Sequence, residues 1–274
     1  MLKIFLSISL LYIMLFAKER VYVFAPLPTK NISQNIKEFL PLSYYMEKKY
    51  GVKIKYTHFK NYKDILEGFK AGKIDMAYLG PLPFVTLHKQ YEYAQPIVIV
   101  KQKNSKDKYR CVLAKFKEDK LDFTKKLKIA LTQPLSTCGY YMSSKLLKEK
   151  YNLDLSKQLY NYKMSHTNAL LEVVKGRYDL AGAKEDIAKK FHSLGMEIVA
   201  KSELLPGFCI VVNTKTISKQ TAKKIQDILL SIPEYKLLEL GGIASRGFVK
   251  ASIKDYDVLQ VNIKIPKVGN FNED

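Results

Sequence analysis

Residues 52–79, VKIKYTHFKNYKDILEGFKAGKIDMAYL, set the grammar of this chain. Val52, Ile54 and Tyr56 alternate with polar residues as one face of a strand does; Asn61 then carries the side chain of a helix cap, and Ile65, Leu66 and Phe69 recur at helical spacing before Gly72. Ile74–Leu79 reads as strand again. A strand, a helix and a second strand joined by short turns make a parallel pair with a crossover helix. Upstream, Val21–Ala25 is β-rich and stopped by Pro26 and Pro28, and apolar residues at Ile32, Ile36, Phe39, Leu40, Tyr44 and Tyr45 predict one helix closed by Gly51. The order argues a doubly wound α/β layer with a mainly parallel sheet covered on both faces.

Downstream the same order returns. Strands are expected at Ile97–Val100, Tyr109–Lys115 and Lys128–Thr132, a helix from Ser136 to about Lys150, and an amphipathic helix after His166 ending at Gly176. Short strands follow at Asp179–Ala183, Ile198–Ala200 and Cys209–Val212, and Thr221–Leu230 has helical spacing. The simplest division is two lobes joined by crossing strands near Lys101–Tyr109 and Leu205–Val212. A cleft between them is where a small ligand would sit.

The 274 residues carry 46 Lys and Arg against 26 Asp and Glu, a formal charge of +20. Only Arg20, Arg110, Arg177 and Arg246 are arginine, and the lysines are spread over the whole chain. Nucleic-acid recognition favours the bidentate guanidinium gathered into a stripe, so no nucleic-acid partner is expected. A dispersed positive field serves solubility and raises the encounter rate with small anions.

Lys3 precedes the apolar run Ile4–Phe16, which ends at Ala17 before Lys18, Glu19 and Arg20. That pattern reads as a cleavable secretory signal over residues 1–17, too short to span a bilayer as a helix. Export opens an oxidising compartment to the three cysteines, Cys111, Cys138 and Cys209, an odd number that leaves one thiol over. Their spacing does not suit a zinc cluster, and no cofactor motif is present.

The strongest local signal for binding is Gln133-Pro134-Leu135-Ser136-Thr137-Cys138-Gly139, which leaves a strand and opens a helix. Free N–H groups at a helix start, with the hydroxyls of Ser136 and Thr137, suit a tetrahedral oxyanion; plain capping by Ser136 is the alternative. His166 stands just before the following helix and offers a donor to the same anion or a structural hydrogen bond. Tyr62, Tyr78 and Tyr109 lie at strand ends or helix starts, among 19 tyrosines most of which must pack. Ser136, His166 and Asp179 also follow the order of a nucleophile, base and acid, but no G-x-S-x-G elbow accompanies them.

Taken together, several stretches resemble the phosphate-, phosphite- and phosphonate-type solute-binding proteins of ABC importers, which have the two-lobed type 2 periplasmic-binding-protein fold. They are Tyr62–Pro81, Pro134–Gly139, His166 thirteen residues before Asp179, and Leu205-Pro206-Gly207. The resemblance implies that Ser136, Thr137 and the backbone at Cys138 hold the ligand oxygens, with Tyr62, Tyr78, Tyr109 and His166 around them and Asp186 or Glu185 as a remaining carboxylate. It implies a signal at 1–17, a first lobe from 18–107 and 209–274, and a second lobe from 108–208. Cys111 and Cys209, on crossing strands in this fold, become candidates for a disulfide.

Departures narrow the ligand. Cys138 stands where the family has a second serine, either as a tolerated small residue or as a soft ligand for an arsenite-like oxyanion. Phe208 and Thr167 stand where members that take aminoalkyl phosphonates carry acids, which argues for a small oxyanion without an amine. The expectation is a periplasmic, monomeric, non-enzymatic binding protein without a cofactor, delivering its ligand to an inner-membrane ABC permease. The alternatives are an oxyanion sensor partnering a histidine kinase and a hydrolase using Ser136 and His166.

Overall fold

β1 (Val21–Pro26) lies between β2 (Lys53–Tyr56) and β3 (Met76–Leu79), parallel to both, so the two strands of residues 52–79 run parallel without being direct neighbours. The computed structural model describes residues 20–29, 31–102, 106–259 and 268–271, so the proposed signal at 1–17 lies outside the described residues. Between β1 and β2 stand two helices, α1 (Ile32–Lys37) and α2 (Leu40–Tyr50), where periodicity predicts one. Pro41 is the reason: in a continuous helix its ring would meet the carbonyl of Lys37 and it has no N–H to donate, but near a new helix start it is tolerated.

The six-stranded first sheet has the order β13 (Phe248–Lys250), β4 (Ala94–Val100), β12 (Cys209–Asn213), β3, β1, β2. The second has the order β10 (Met196–Lys201), β6 (Cys111–Phe116), β9 (Leu180–Lys184), β7 (Lys128–Leu131), β8 (Leu159–Tyr162). β7, β8 and β9 run parallel, with β6 antiparallel beside β9. The chain passes between the sheets twice, through β5 (Lys108–Tyr109) and β11 (Leu205–Pro206), which pair with each other.

α3 (Tyr62–Lys70), capped by the Asn61 side chain, turns Ile65, Leu66 and Phe69 into the core. α4 (Pro81–Gln90) was not legible from periodicity because it begins Pro81-Leu82-Pro83, a breaker pattern that a first turn accepts. In the second lobe a wide π-turn at Thr137–Met142 runs on into α5 (Ser143–Tyr151), and α6 (His166–Val174) is capped by Ser165. α7 (Glu185–Ala188) follows β9 directly; α8 (Lys219–Ser231) and α9 (Glu234–Leu240) pack on the first lobe.

Alternate residues of the second sheet bury to opposite faces, Val112, Ala114, Ala130 and Ala181 on one and Leu113, Ile129, Leu131 and Leu180 on the other. A third apolar cluster runs across both lobes, holding Leu79 and Leu82 of the first with Met142 and Tyr141 of the second. The lobes therefore meet through packed side chains as well as through the crossing strands.

The cysteines pair differently from the expectation. Cys111 bonds Cys138, with Cα atoms 5.0 Å apart, and Cys209 is free and buried. Cys111 begins β6, while Cys209 begins β12 in the other sheet, paired in register with Leu79 and Ile99. The expected Cys111–Cys209 bridge would thus have to join two different sheets, whereas the turn carrying Cys138 packs against β6 itself. Burial pushes the Cys209 thiol up to about 12, so it stays protonated and unreactive at neutral pH.

Candidate ligand-binding site

The turn between β7 and α5 shows how a helix start becomes a binding surface. Ser136 is its cap: the Ser136 Oγ accepts from the Gly139 N–H at 3.0 Å and the Ser136 carbonyl accepts from Tyr140 at 3.2 Å. Of the first N–H groups, those of Thr137 and Cys138 remain outside these bonds among the described residues. Capping and ligand binding are thus compatible, since the cap uses the lone pairs of Ser136 and leaves its O–H free to donate. The turn lies hard against the sheet. A Cβ on Gly139 would come 1.9 Å from Thr132 Oγ1, and one on Gly182 would come 1.9 Å from Ser143 Oγ.

These residues form one wall of a small interlobe cavity. Ser136, Thr137, Cys138, His166 and Lys184 come from the second lobe, Tyr62, Gly80 and Pro83 from the first, and Tyr109 and Phe208 from the crossing segments; Thr29 stands at the edge. About 20 Å³ is open to the centre of a water-sized sphere. That admits one water or a compact group of a few heavy atoms, not a nucleotide or a sugar.

Six of the residues expected from the sequence line this cavity together: Tyr62, Tyr109, Ser136, Thr137, Cys138 and His166. Two others stand back. Tyr78 packs its ring between Phe39 and Phe208, 5.3 Å from each, behind the wall. Asp186 is exposed and reaches the cavity only through Lys184, 3.7 Å away. Cys138 is present with its sulfur in the disulfide, so it has no thiol to coordinate a soft oxyanion. That removes the observation behind the arsenite-sensor reading. Asp179 accepts from the Lys128 N–H at 2.6 Å, at the far end of the strands from Ser136, so the three-residue relay does not assemble.

The positive charge of the cavity comes from Lys184, which sequence analysis missed. Lys184 ends β9 with only 15% of its side chain exposed, donates to Gln102 Oε1, and sets its ammonium 4.9 Å from the centre of the Tyr109 ring. Burial lowers its pKa. The signal for it was a lysine closing the otherwise small and apolar strand Leu180-Ala181-Gly182-Ala183. His166 is half-buried, yet its Nδ1 is enclosed and has no hydrogen-bond partner among the described residues. Burial first, and then the Lys184 charge, pulls the imidazole down to about 4, so it is neutral at pH 7. Burial raises Tyr62 and Tyr109 above the usual phenol range, keeping both as neutral donors.

The first lobe contributes a helix start too, but a blocked one. In α4, Pro81 and Pro83 have no N–H, Phe84 donates to the Gly80 carbonyl, and Leu82 donates to Thr137 Oγ1 at 3.0 Å. The Leu82 bond ties the lobes together across the cavity. A second tie is Gln133, whose Nε2 lies 3.2 Å from both the Pro28 and Met164 carbonyls.

Residues 24–256 match the family described as the periplasmic substrate-binding protein of phosphonate ABC transporters. The chain belongs to that family. Among the relatives of this binding protein, the phosphate-import protein PhnD of Mycolicibacterium smegmatis is 26% identical over 67% of the chain, and the phosphonates-binding periplasmic protein of Escherichia coli is 26% identical over 78%. The matched stretches span 59% and 67% of those two proteins. In three dimensions it is similar to PhnD1 of Prochlorococcus marinus, solved in complex with methylphosphonate, with a TM-score of 0.72 at 16% identity, covering 88% of this chain and 96% of the other. That likeness establishes the two-lobed periplasmic-binding-protein fold. Family membership implies a periplasmic location for this binding protein.

Proposed function

We propose that this chain captures a small oxyanion of the phosphonate, phosphite or phosphate class in the interlobe cavity and presents it to an ABC permease. The observation that carries the reading is the cavity itself, closed between the lobes and walled by oriented donors at Ser136, Thr137, Cys138 and His166 together with the Lys184 ammonium. The Thr137 and Cys138 N–H groups and the two hydroxyls hold the oxygens, and Tyr62 and Tyr109 donate from the opposite side. The mechanism is hinge closure about β5 and β11: an anion that contacts both lobes stabilises only the closed form. Membership of a family of transporter substrate-binding proteins supports a site that performs no chemistry on its ligand. A signal over residues 1–17, cut after Ala17, delivers a monomer to the periplasm; N-terminal sequencing of the exported protein checks the cut.

The function is tested by thermal shift with phosphate, phosphite, methylphosphonate, sulfate and acetate. At one hundred times Kd a bound oxyanion stabilises by about 2.7 kcal/mol, which for a chain of this size raises Tm by roughly 5 to 10 °C. A melting point unmoved by every phosphorus oxyanion overturns the reading.

A further inference from the structure

We infer that Lys184 is the specificity-determining residue of this site, an internal cation that occupies the place of a ligand amine and restricts the binding protein to oxyanions without one. The inference rests on the function proposed above and names the ligand subclass. Its ammonium sits 4.9 Å from the Tyr109 ring centre and 5.9 Å from that of Phe208, so the aromatic faces beside the cavity, which would otherwise attract a ligand ammonium, already hold a cation. Asp186, the carboxylate nearest to it, is 3.7 Å away and half exposed, which leaves the largely buried charge incompletely matched from within the protein. A second cation in so small a cavity would meet Lys184 at short range with no further carboxylate lining the wall. An anion meets the opposite: one buried positive charge, oriented donors and a neutral His166. Gln102, which accepts from Lys184, fixes the ammonium at the junction of the lobes.

The test is isothermal titration of the exported protein with methylphosphonate and with 2-aminoethylphosphonate, which differ by an added aminomethyl group. The wild type is expected to prefer methylphosphonate by at least about 100-fold. Lys184→Met is expected to weaken methylphosphonate at least about tenfold and to shrink the preference, because the ligand amine then finds Asp186 and two free ring faces. Lys184→Arg keeps the charge and should keep the sign of the preference. Asp186→Asn, at an exposed position where folding is not at risk, should leave methylphosphonate binding intact or tighter and widen the preference. The inference is overturned if the wild type binds both ligands equally, or if Lys184→Met and Asp186→Asn each change the two affinities by the same factor. Should the wild type bind neither ligand, nor phosphate or phosphite, the proposed function itself fails, an outcome distinct from an unchanged ratio.

Discussion

The two sheets repeat one arrangement and diverge at the edge that faces the cavity. In the first, β2, β1 and β3 run parallel with β12 antiparallel beside β3; in the second, β8, β7 and β9 run parallel with β6 antiparallel beside β9. Matched positions show the divergence. The helix after the second parallel strand begins with Tyr62 behind an Asn61 cap in one lobe and with His166 behind a Ser165 cap in the other, and both residues line the cavity. After the third strand, the first lobe offers Gly80 and a helix start stopped by two prolines, whereas the second offers Lys184. The same scaffold thus makes a donor-rich wall in one lobe and an aromatic, donor-poor cover in the other. Anion specificity therefore resides in the second lobe on our reading, and the first lobe mainly completes enclosure.

The sharpest way to break that comparison is a matched pair of glycine substitutions. Gly139→Ala would drive its Cβ into Thr132 Oγ1 and to 2.7 Å from the Thr132 backbone nitrogen, displacing the turn. We expect a loss of about 100-fold in oxyanion affinity, near 3 kcal/mol, with a lowered Tm from overpacking. Gly80→Ala meets only the edge of the Phe208 ring at 3.1 Å, which can shift, so the loss should stay below about fivefold. Equal losses by titration calorimetry would mean that the lobes share recognition.

His166 sharpens the contrast through pH. Its imidazole is held at about 4 in the folded protein against 6.5 when free, so the unfolded chain binds the extra proton first. Stability from this group is complete above pH 6.5 and is lost as pH falls toward 4, by up to roughly 3 kcal/mol. Denaturant unfolding of the ligand-free protein across that range should show the slope, and His166→Asn should flatten it. Tyr62, its counterpart, titrates in neither direction there, so Tyr62→Phe should leave the slope unchanged.

The disulfide belongs to the second lobe alone. Cys111→Ser should cost about 3.5 kcal/mol for a bridge closing a loop of this size and also weaken ligand binding, because Cys138 sits in the turn proposed to hold the anion. Cys209→Ala should leave binding intact. Thiol titration checks the pairing directly: the native protein should show no fast-reacting thiol, the denatured unreduced protein one, and the reduced protein three.

The smallest expected effect is on the tie between lobes. Thr137→Val removes the acceptor for the Leu82 N–H and leaves that buried donor unpaired, a cost of about 1–3 kcal/mol borne only by the closed form. Small-angle scattering should show a more open ligand-free ensemble.

Local chemistry made much of this legible. The caps Asn61 and Ser136 announced two helix starts, and both stand where the sequence puts them, whereas the cap of a third, Ser165, was not read and that helix begins on His166 itself. Where neighbours compete, sequence misled: periodicity ran one helix through Pro41, and the prolines of α4 hid a helix that begins on them. Tyr78 was a fair candidate from its strand end, yet Phe39 and Phe208 enclose it behind the wall.

Alternation and capping residues are short-range properties, and they determined the α/β class, the two-lobed division and the helix-opening turn at Ser136–Gly139 that we propose for the anion. Cysteine pairing and the charge of the cavity depend on what distant segments bring side by side. Only the tertiary structure seated the Cys138 turn on β6, leaving Cys209 in the other sheet. Only folding turned Lys184, one of many lysines in the sequence, into a buried cation facing Ser136 and His166, because burial and proximity, not residue type, give that ammonium its effect.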